Sequence, residues 1–163
     1  MIYYCRYESP LGEIELSSDG DALTGLRFSK NPEPGQKDTP LPVFLRTARW
    51  LDIYFGGEAP DFMPKLSLCG TPFRREVWDA ILSIPFGQTA TYGEIARVIA
   101  KKRGLSNMSP RAVGSAAGHN PVMIIVPCHR VVGADGRLTG YAGGVGRKAA
   151  LLRLEGNDMT KLK

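Results

Sequence analysis

The chain has 163 residues, of which 43% are hydrophobic and 23% charged, a composition ordinary for a globular protein with one or two compact domains. No apolar stretch approaches the roughly 20 residues of a membrane span, and the segment MIYYCRYESP has neither the basic region nor the apolar block of a secretory signal. Three cysteines in no pairable pattern indicate a reducing compartment, the cytoplasm or the nucleus, of which we expect the cytoplasm.

The two halves of the chain differ in charge. Residues 1–70 carry 7 Lys and Arg against 10 Asp and Glu, a net charge of −3, whereas residues 71–163 carry 14 against 6, a net charge of +8. A basic half of this size favours a polyanionic partner, with nucleic acid the first candidate. A basic surface that serves only to keep the protein soluble would account for the same charge equally well.

The first half predicts a small sheet followed by one helix. Its first 29 residues alternate with period two between breaks of Gly, Pro and Asp, which predicts an antiparallel meander of about three strands. Residues 30–40, KNPEPGQKDTP, predict a polar loop. Thr39-Pro40 predicts the start of a helix that ends at Gly56-Gly57. Residues 58–70 then connect to a second domain, so we expect domains at 1–70 and 71–163.

The second half predicts helices with marked starts. Thr71-Pro72 begins the first, and Thr91-Tyr92-Gly93-Glu94 forms a capping box for a second that runs to about Lys101. Ser109-Pro110 begins a third, which ends near Gly118. The last two helices have the outline of a helix-turn-helix over about 91–118.

The C-terminal third predicts a strand, a turn and a final helix. An apolar run predicts a strand from about Val122 to Val126, and GADG at 133–136 predicts a hairpin. A last helix stops at Glu155-Gly156. The fold class is therefore α/β in the α+β sense: an antiparallel β-sheet domain with a helix, then a mostly helical domain with a short active-site strand.

The third helix of the second half has unusually small side chains. Beyond Arg111 it continues with Ala, Val, Gly, Ser, Ala, Ala and Gly, which cannot reach far into a major groove to read base edges. A slim helix suits close approach to a DNA backbone or a minor groove. Tight packing against a neighbouring protein backbone explains the same composition.

Cys128 and His129 stand side by side after the apolar run. Neighbouring residues of a strand point to opposite faces, so they meet only if the chain bends, and Pro127 favours a bend. The imidazole could then reach the sulfur, through one water, and stabilise a thiolate nucleophile. A buried structural cysteine is the competing interpretation. The sequence has no C-x-x-C motif and contains only two histidines, so it predicts no metal site.

Several ordered motifs of the second half resemble those of one family. They are FRREVWDAILSIPFGQTATYGEIA, PRAVGSAAGHNP, NPVMIIVPCHRVV, GYAGG and LLRLEG, and together they cover roughly residues 71–156. These motifs are similar to those of the O6-alkylguanine-DNA alkyltransferases, the bacterial methylated-DNA–protein-cysteine methyltransferases. The first 60 residues resemble the family's N-terminal domain only in strand pattern and overall plan.

The resemblance implies a role for each matching residue. Cys128 would accept the alkyl group from guanine O6, and His129, through a water and backed by Glu155, would remove its proton. Asn120 would hold the active-site turn in shape. Tyr92 would help to rotate the nucleotide out of the duplex and donate a hydrogen bond to guanine. Other implied DNA-binding residues are Arg111, which would fill the gap left by the flipped base, Thr91, Ala112, Gly114 and Ser115, and the implied pocket residues are Val131, Tyr141, Ala142 and Gly143.

The resemblance also implies how the protein works. It would act once on double-stranded DNA bearing alkylated bases, including possible O4-alkylthymine, as a monomer without cofactor or membrane. A lesion sensor that flips alkylguanine without transfer and a cysteine hydrolase are the alternatives. Some family members have serine where Ala142 stands, and asparagine or methionine is frequent where Ala117 stands. The loop at 101–108 is several residues longer than in many relatives. That loop carries Lys101, Lys102 and Arg103, which either add phosphate contacts or form a solvated excursion.

Overall fold

The computed structural model describes residues 1–29 and 38–163. They form two compact units, one of residues 1–69 with 121–123 and one of residues 70–120 with 124–163. The expected mixed architecture of a sheet and helices is confirmed. The loop predicted at 30–40 lies mostly outside the described residues. Among the helices of the described chain, none is long and apolar enough to cross a membrane.

The first unit is built on a three-stranded antiparallel sheet in the order β1-β2-β3. The strands are β1 (Tyr3–Ser9), β2 (Gly12–Ser18) and β3 (Leu23–Phe28), as the period-two pattern predicts. The alternation places Ile14 and Leu16 in the core. Residues 121–123 also belong to this unit, because the amide of Leu26 donates to the carbonyl of Pro121 at 2.9 Å and the amide of Met123 donates to that of Leu26 at 2.9 Å.

The helix of the first unit, α1 (Pro42–Phe55), starts later than the sequence predicts. Leu41 is its N-cap residue and provides no side-chain hydrogen bond, so the start predicted at Thr39-Pro40 is wrong. The amide of Thr39 instead donates to the carbonyl of Tyr4 at 3.0 Å, which commits this residue to the strand. Pro42 supplies the fixed φ that suits the first helical turn. The predicted end at Gly56 is confirmed.

The second unit contains four helices and a pair of two-residue strands. The helices are α2 (Pro72–Leu82), α3 (Tyr92–Arg103), α4 (Pro110–Gly118) and α5 (Val145–Leu154). The strands, β4 (Ala90–Thr91) and β5 (Val131–Val132), pair in parallel. The three predicted caps are confirmed: the hydroxyl oxygens of Thr71, Thr91 and Ser109 accept from amides three residues on, at 3.2, 3.0 and 3.3 Å.

The apolar run before Cys128 is buried, but it is not the predicted strand. Val122 forms one isolated parallel bridge to Leu26, and residues 123–125 form a turn in which Ile124 has φ 69°, a left-handed conformation that is costly for a β-branched residue. The predicted hairpin is also wrong. The amide of Gly133 does donate to Arg137 at 2.8 Å, yet β5 pairs with β4, and no strand follows this turn in the described chain. Apolar β-branched residues indicate burial more reliably than extension.

Close packing among α2, α3 and α4 positions the rest of the second unit. The indole Nε1 of Trp78 on α2 donates to the carbonyl of Ala116 on α4 at 2.9 Å, and both residues are buried. Gly114 faces the ring of Tyr92, where a Cβ would lie 3.7 Å from the nearest ring carbon, an ordinary van der Waals contact, so the close approach on α4 is that of Trp78 to Ala116. The small residues of α4 therefore allow its neighbours to approach closely.

Two identical Thr-Pro pairs allow a matched stability test. Thr71→Ala should lower the free energy of unfolding by about 1 kcal/mol, because it removes the capping hydrogen bond to the amide of Arg74. Thr39→Ala should change it by less than about 0.5 kcal/mol, because Thr39 lies outside α1 and does not cap it. Urea unfolding of both variants measures the difference. Equal losses would show that Thr39 also supports its helix.

Candidate active site

Cys128 lies at the start of a single 3-10 turn, Cys128–Arg130, directly after Pro127. The side chain is buried, with 6% of the residue exposed, and its amide donates to the carbonyl of Val126 at 2.8 Å. Consecutive side chains of such a turn are about 120° apart rather than on opposite faces. The bend expected after Pro127 is therefore present, and it frees Cys128 and His129 from the alternation of a strand.

Asn120 connects the buried turn to the thiol. Its Nδ2 donates to the carbonyl of Val126 at 2.8 Å and to the Cys128 sulfur at 3.2 Å. The first bond fixes the backbone that delivers the cysteine, and the second favours a negatively charged sulfur. Burial raises the pKa of the Cys128 thiol, while Asn120 and the charge of Lys148 act in the opposite direction.

The carboxylate of Glu155 has hydrogen-bonding partners on three residues, two of which belong to this turn. His129 Nε2 lies 2.6 Å from Oε2, and Arg130 Nε donates to Oε1 at 2.8 Å and Nη2 to Oε2 at 3.2 Å. The amide of Gly87 also donates to Oε1 at 3.0 Å. Arg130 completes its bonding with the carbonyl of Ile84 at 2.7 Å. One carboxylate thereby links the Cys128–Arg130 turn to the α2–β4 segment and the end of α5.

The electrostatics of this cluster define the state of the imidazole. Burial alone would raise the pKa of Glu155, but the bonds from His129, Arg130 and Gly87 outweigh it and lower the pKa to about 2. Burial lowers the pKa of His129, against the pull of Glu155. The pair is thus an ionised carboxylate and a neutral imidazole at neutral pH. With Nε2 donating to the carboxylate, Nδ1 is the basic nitrogen that can take a proton.

Lys148 is a site residue that the sequence analysis missed. It is fully buried on α5 and donates to the carbonyls of Val131 at 2.5 Å and Thr139 at 2.9 Å, with the Tyr92 hydroxyl at 3.5 Å. Burial lowers its pKa to about 8, opposed by Cys128. Helical spacing could have found it, because Lys148 precedes the buried Leu151 by three residues and therefore shares the inward face of α5.

The residues expected to line a pocket surround the same turn. Tyr92 is partly buried and donates its hydroxyl to the carbonyl of Thr139 at 3.1 Å. Tyr141 is buried and meets the ring of His129 edge-on, with centroids 6.4 Å apart. Burial raises the pKa of both tyrosines, so both stay neutral donors. Val131 is fully buried. Of the remaining two, Ala142 is exposed and Gly143 is partly buried.

The residues expected to bind DNA lie on the outer side of α4 and at the start of α3. Arg111 and Ser115 are exposed, and Ala112 and Gly114 are partly buried. The inward face of α4 consists of Val113, Ala116 and Ala117. The hydroxyl oxygen of Thr91 accepts a hydrogen bond from the amide of Glu94. The two interpretations of the small-residue helix therefore apply to different faces, one packed and one open.

The arrangement can support nucleophilic chemistry at sulfur. A buried thiol has an amide donor at 3.2 Å, a neutral imidazole next in sequence and a buried ammonium, which are the groups that create and stabilise a thiolate. Within residues 1–29 and 38–163, no group of three His, Cys, Asp or Glu side chains is placed to hold a metal ion. Cys5 and Cys69 are free thiols outside this cluster.

The charge of Glu155 should make stability depend on acid pH. Its pKa is about 2 in the folded protein against an ordinary 4.5, so its contribution of about 3 kcal/mol is present above pH 4.5 and lost as the pH falls towards 2. Glu155→Gln should lower the free energy of unfolding at pH 7 by roughly 3 to 5 kcal/mol, because Arg130 stays buried. Urea unfolding between pH 2 and 7 tests both expectations; an unchanged acid limb in the variant would contradict them.

The ammonium of Lys148 should control the reactivity of Cys128. Lys148→Met removes the charge but keeps an unbranched side chain, so the reaction of Cys128 with a small neutral thiol reagent should slow roughly tenfold at pH 7. The difference should shrink above pH 8, where the native ammonium itself loses its proton. Tyr92→Phe, which keeps the charge, serves as the control. An identical pH profile for Lys148→Met and the native protein would exclude this effect.

Comparison with known proteins supports one family across the chain. Residues 72–157 match the DNA-binding domain of 6-O-methylguanine DNA methyltransferase, and residues 2–68 match its ribonuclease-like domain. The methylated-DNA–protein-cysteine methyltransferase of Mycobacterium tuberculosis is 48% identical over 158 residues, 95% of this chain and 93% of its own. That of Methanosarcina acetivorans is 44% identical over 164 residues, 96% of this chain and 99% of its own.

Solved structures give the same result. The crystal structure of Mycobacterium tuberculosis OGT in complex with DNA is 43% identical, covers 98% of this chain and 94% of that chain, and superposes with a TM-score of 0.81. Mycobacterium tuberculosis O6-methylguanine methyltransferase is 47% identical over 95% of this chain, with a TM-score of 0.80. The architecture and the sequence thus agree, and the chain belongs to the 6-O-methylguanine DNA methyltransferase family.

Proposed function

We propose that this protein repairs alkylated DNA by transferring the alkyl group of O6-alkylguanine to Cys128. The observation that carries the proposal is the buried thiol itself, which accepts a hydrogen bond from Asn120 at 3.2 Å in the turn that also holds His129 against Glu155. The family is one of methylated-DNA–protein-cysteine methyltransferases. The hydrogen bond from Asn120 and the nearby charge of Lys148 support Cys128 as the acceptor.

The transfer is a single displacement. The Cys128 sulfur attacks the alkyl carbon, a carbon–sulfur bond forms, and the bond from that carbon to O6 breaks with its electron pair left on guanine. His129, through a water, takes the thiol proton, which balances the proton that the departing guanine takes up, and the ionised Glu155 stabilises the imidazolium. The neutral hydroxyl of Tyr92 donates to the leaving base. A thioether has no easy leaving route, so each molecule acts once.

The base must leave the duplex first. O6 of a paired guanine is stacked in the helix, so an enzyme that reacts with it extrudes the nucleotide. The outer face of α4 is narrow, and its exposed Arg111 has the length to enter the stack in place of the base. Thr91, Ala112, Gly114 and Ser115 then lie against the backbone. Little sequence readout is needed because lesions occur at any position.

The two parts of the chain divide the work. Residues 71–163 hold the nucleophile and the net charge of +8, so they form the DNA-binding and active-site domain. Residues 1–70, with a net charge of −3, act as a scaffold. Val131, Tyr141, Ala142 and Gly143 form the pocket for the alkylated base. The displacement consumes only the thiol, so the protein needs no cofactor. It works as a monomer in the cytoplasm.

A sensor that binds lesions without transfer is not favoured. Such a protein has no use for a thiol held by Asn120 and flanked by a buried ammonium. The relatives at 44–48% identity are named as transferases to a cysteine. The orientation of Cys128 and its electrostatic surroundings both serve reaction at sulfur.

Labelled DNA tests the proposal directly. A duplex with O6-methylguanine labelled in the methyl group should transfer no more than one equivalent of label to the protein, and peptide mass spectrometry should place it on Cys128. Cys128→Ala should bind the same duplex and accept no label, whereas Cys69→Ala, which removes an exposed thiol, should be labelled fully. Intact lesion with unmodified native protein would refute the transfer.

A further inference from the structure

The outer side of α3 carries a set of cations that the transfer chemistry does not use. α3 buries Ile95, Ala96, Ile99 and Ala100. On the opposite side, Arg97, Lys101 and Lys102 are exposed. Arg97 and Lys101 are four residues apart and therefore share one helix face, and Lys102 follows on the adjoining side, about 100° further around the helix. We call these three residues the α3 basic stripe.

The end of α3 is ordered, so the stripe has a fixed geometry. Helix α3 continues through Arg103, two residues beyond the expected end, and Gly104 stops it with φ 66°. The amide of Gly104 donates to Lys101 at 3.2 Å and that of Leu105 donates to Ala100 at 2.8 Å, which is the closure typical of a glycine-capped helix. The first residues of the loop expected at 101–108 are thus helical and present their charges in a defined direction.

Arg103 is excluded from the stripe by its own contacts. Its Nε donates to Glu76 on α2 at 2.7 Å, and its guanidinium lies 5.3 Å from the centre of the Phe73 ring. This arginine fastens α3 to α2. For Arg97, Lys101 and Lys102, by contrast, no carboxylate within residues 1–29 and 38–163 lies at salt-bridge distance. The stripe therefore has charge available for an outside partner.

The helix dipole does not account for the whole stripe. Cations in the last turn of a helix are stabilised by the partial negative charge there, which applies to Lys101 and Lys102. That effect falls off within one turn, and Arg97 lies in the middle of α3. Two cations one helical turn apart, with a third at the end of the same helix and in the half of the chain with net charge +8, fit a repeated anion.

The position of the stripe indicates which anion. α3 and α4 are the two helices of the predicted helix-turn-helix, and the stripe leads through residues 104–109 to Ser109 and Arg111 at the start of α4. In this motif the second helix enters a groove while the first crosses the backbone. We propose that the α3 basic stripe binds phosphates of duplex DNA outside the lesion, which supplies affinity that is independent of sequence and of damage.

This inference rests on the proposed function, and it gives the stripe a separate task from Arg111. Arg111 acts where the base has left the stack, so its removal should affect damaged duplex more than intact duplex. The stripe contacts only backbone phosphate, so its removal should weaken binding to both duplexes by the same factor.

The dependence of DNA affinity on salt measures the stripe. Log affinity falls with log salt concentration, and each phosphate contact adds about 0.9 to the steepness of that fall. The triple variant Arg97→Gln, Lys101→Gln and Lys102→Gln should therefore make the fall less steep by roughly 2 to 3. A control with equal loss of charge is Arg153→Gln with Lys161→Gln and Lys163→Gln, three exposed cations on α5 and the C-terminal tail. The control should keep the native slope. Fluorescence anisotropy with damaged and intact duplex gives both slopes.

The outcomes separate this inference from the function on which it rests. Labelling of Cys128 at saturating DNA, and with a free alkylguanine base, should proceed at the native rate in the stripe variant. A native salt dependence in the stripe variant, or an equal reduction in the control variant, would overturn the inference and leave the transfer reaction intact. A stripe that binds a protein rather than DNA would give the first of these results. Failure of the native protein to accept label would refute the proposed function, whatever the slopes.

Discussion

The carboxylate of Glu155 is the interaction on which the rest of the second unit depends. It is a buried anion, and burial of a carboxylate is unfavourable unless donors surround it. His129, Arg130 and the amide of Gly87 provide those donors at 2.6 to 3.2 Å. They come from two segments far apart in sequence and meet the end of α5. The ionised carboxylate therefore holds the Cys128–Arg130 turn in place.

The buried charges of Glu155 and Lys148 are balanced by different partners. Glu155 and Arg130 form a pair with complementary hydrogen bonds, which fixes geometry. Lys148 bonds in the described structure to neutral oxygens, the carbonyls of Val131 and Thr139 and the Tyr92 hydroxyl. Its charge is thus less compensated, and its lowered pKa of about 8 reflects that cost. A thiolate at Cys128 would reduce this cost, which links the stability of the lysine to reactivity at the sulfur.

Helix α4 satisfies two requirements with the same small residues. Its inner face, with Ala116 and Ala117, lets Trp78 reach the helix backbone at 2.9 Å. Its outer face is narrow enough for a single long side chain, Arg111, to project beyond it. Larger residues on the inner face would separate α2 from α4, and larger residues outside would obstruct approach to a duplex. Small side chains on α4 therefore serve both the packing of the second unit and the proposed contact with DNA.

The sequence by itself determined the elements whose signals are local. The alternation in residues 1–29, the hydroxyl caps at Thr71, Thr91 and Ser109, and the motif around Cys128 identified the sheet, three helix starts and the family. It failed at Thr39, where a backbone bond to Tyr4 replaces the cap, and at residues 122–126, where burial was taken for extension.

Only the tertiary structure brought Lys148 to the carbonyls of Val131 and Thr139 and joined Arg130 to Glu155. Those contacts depend on the burial of charges among segments distant in sequence. Composition and spacing carry no measure of that environment, because it exists only after the chain has folded.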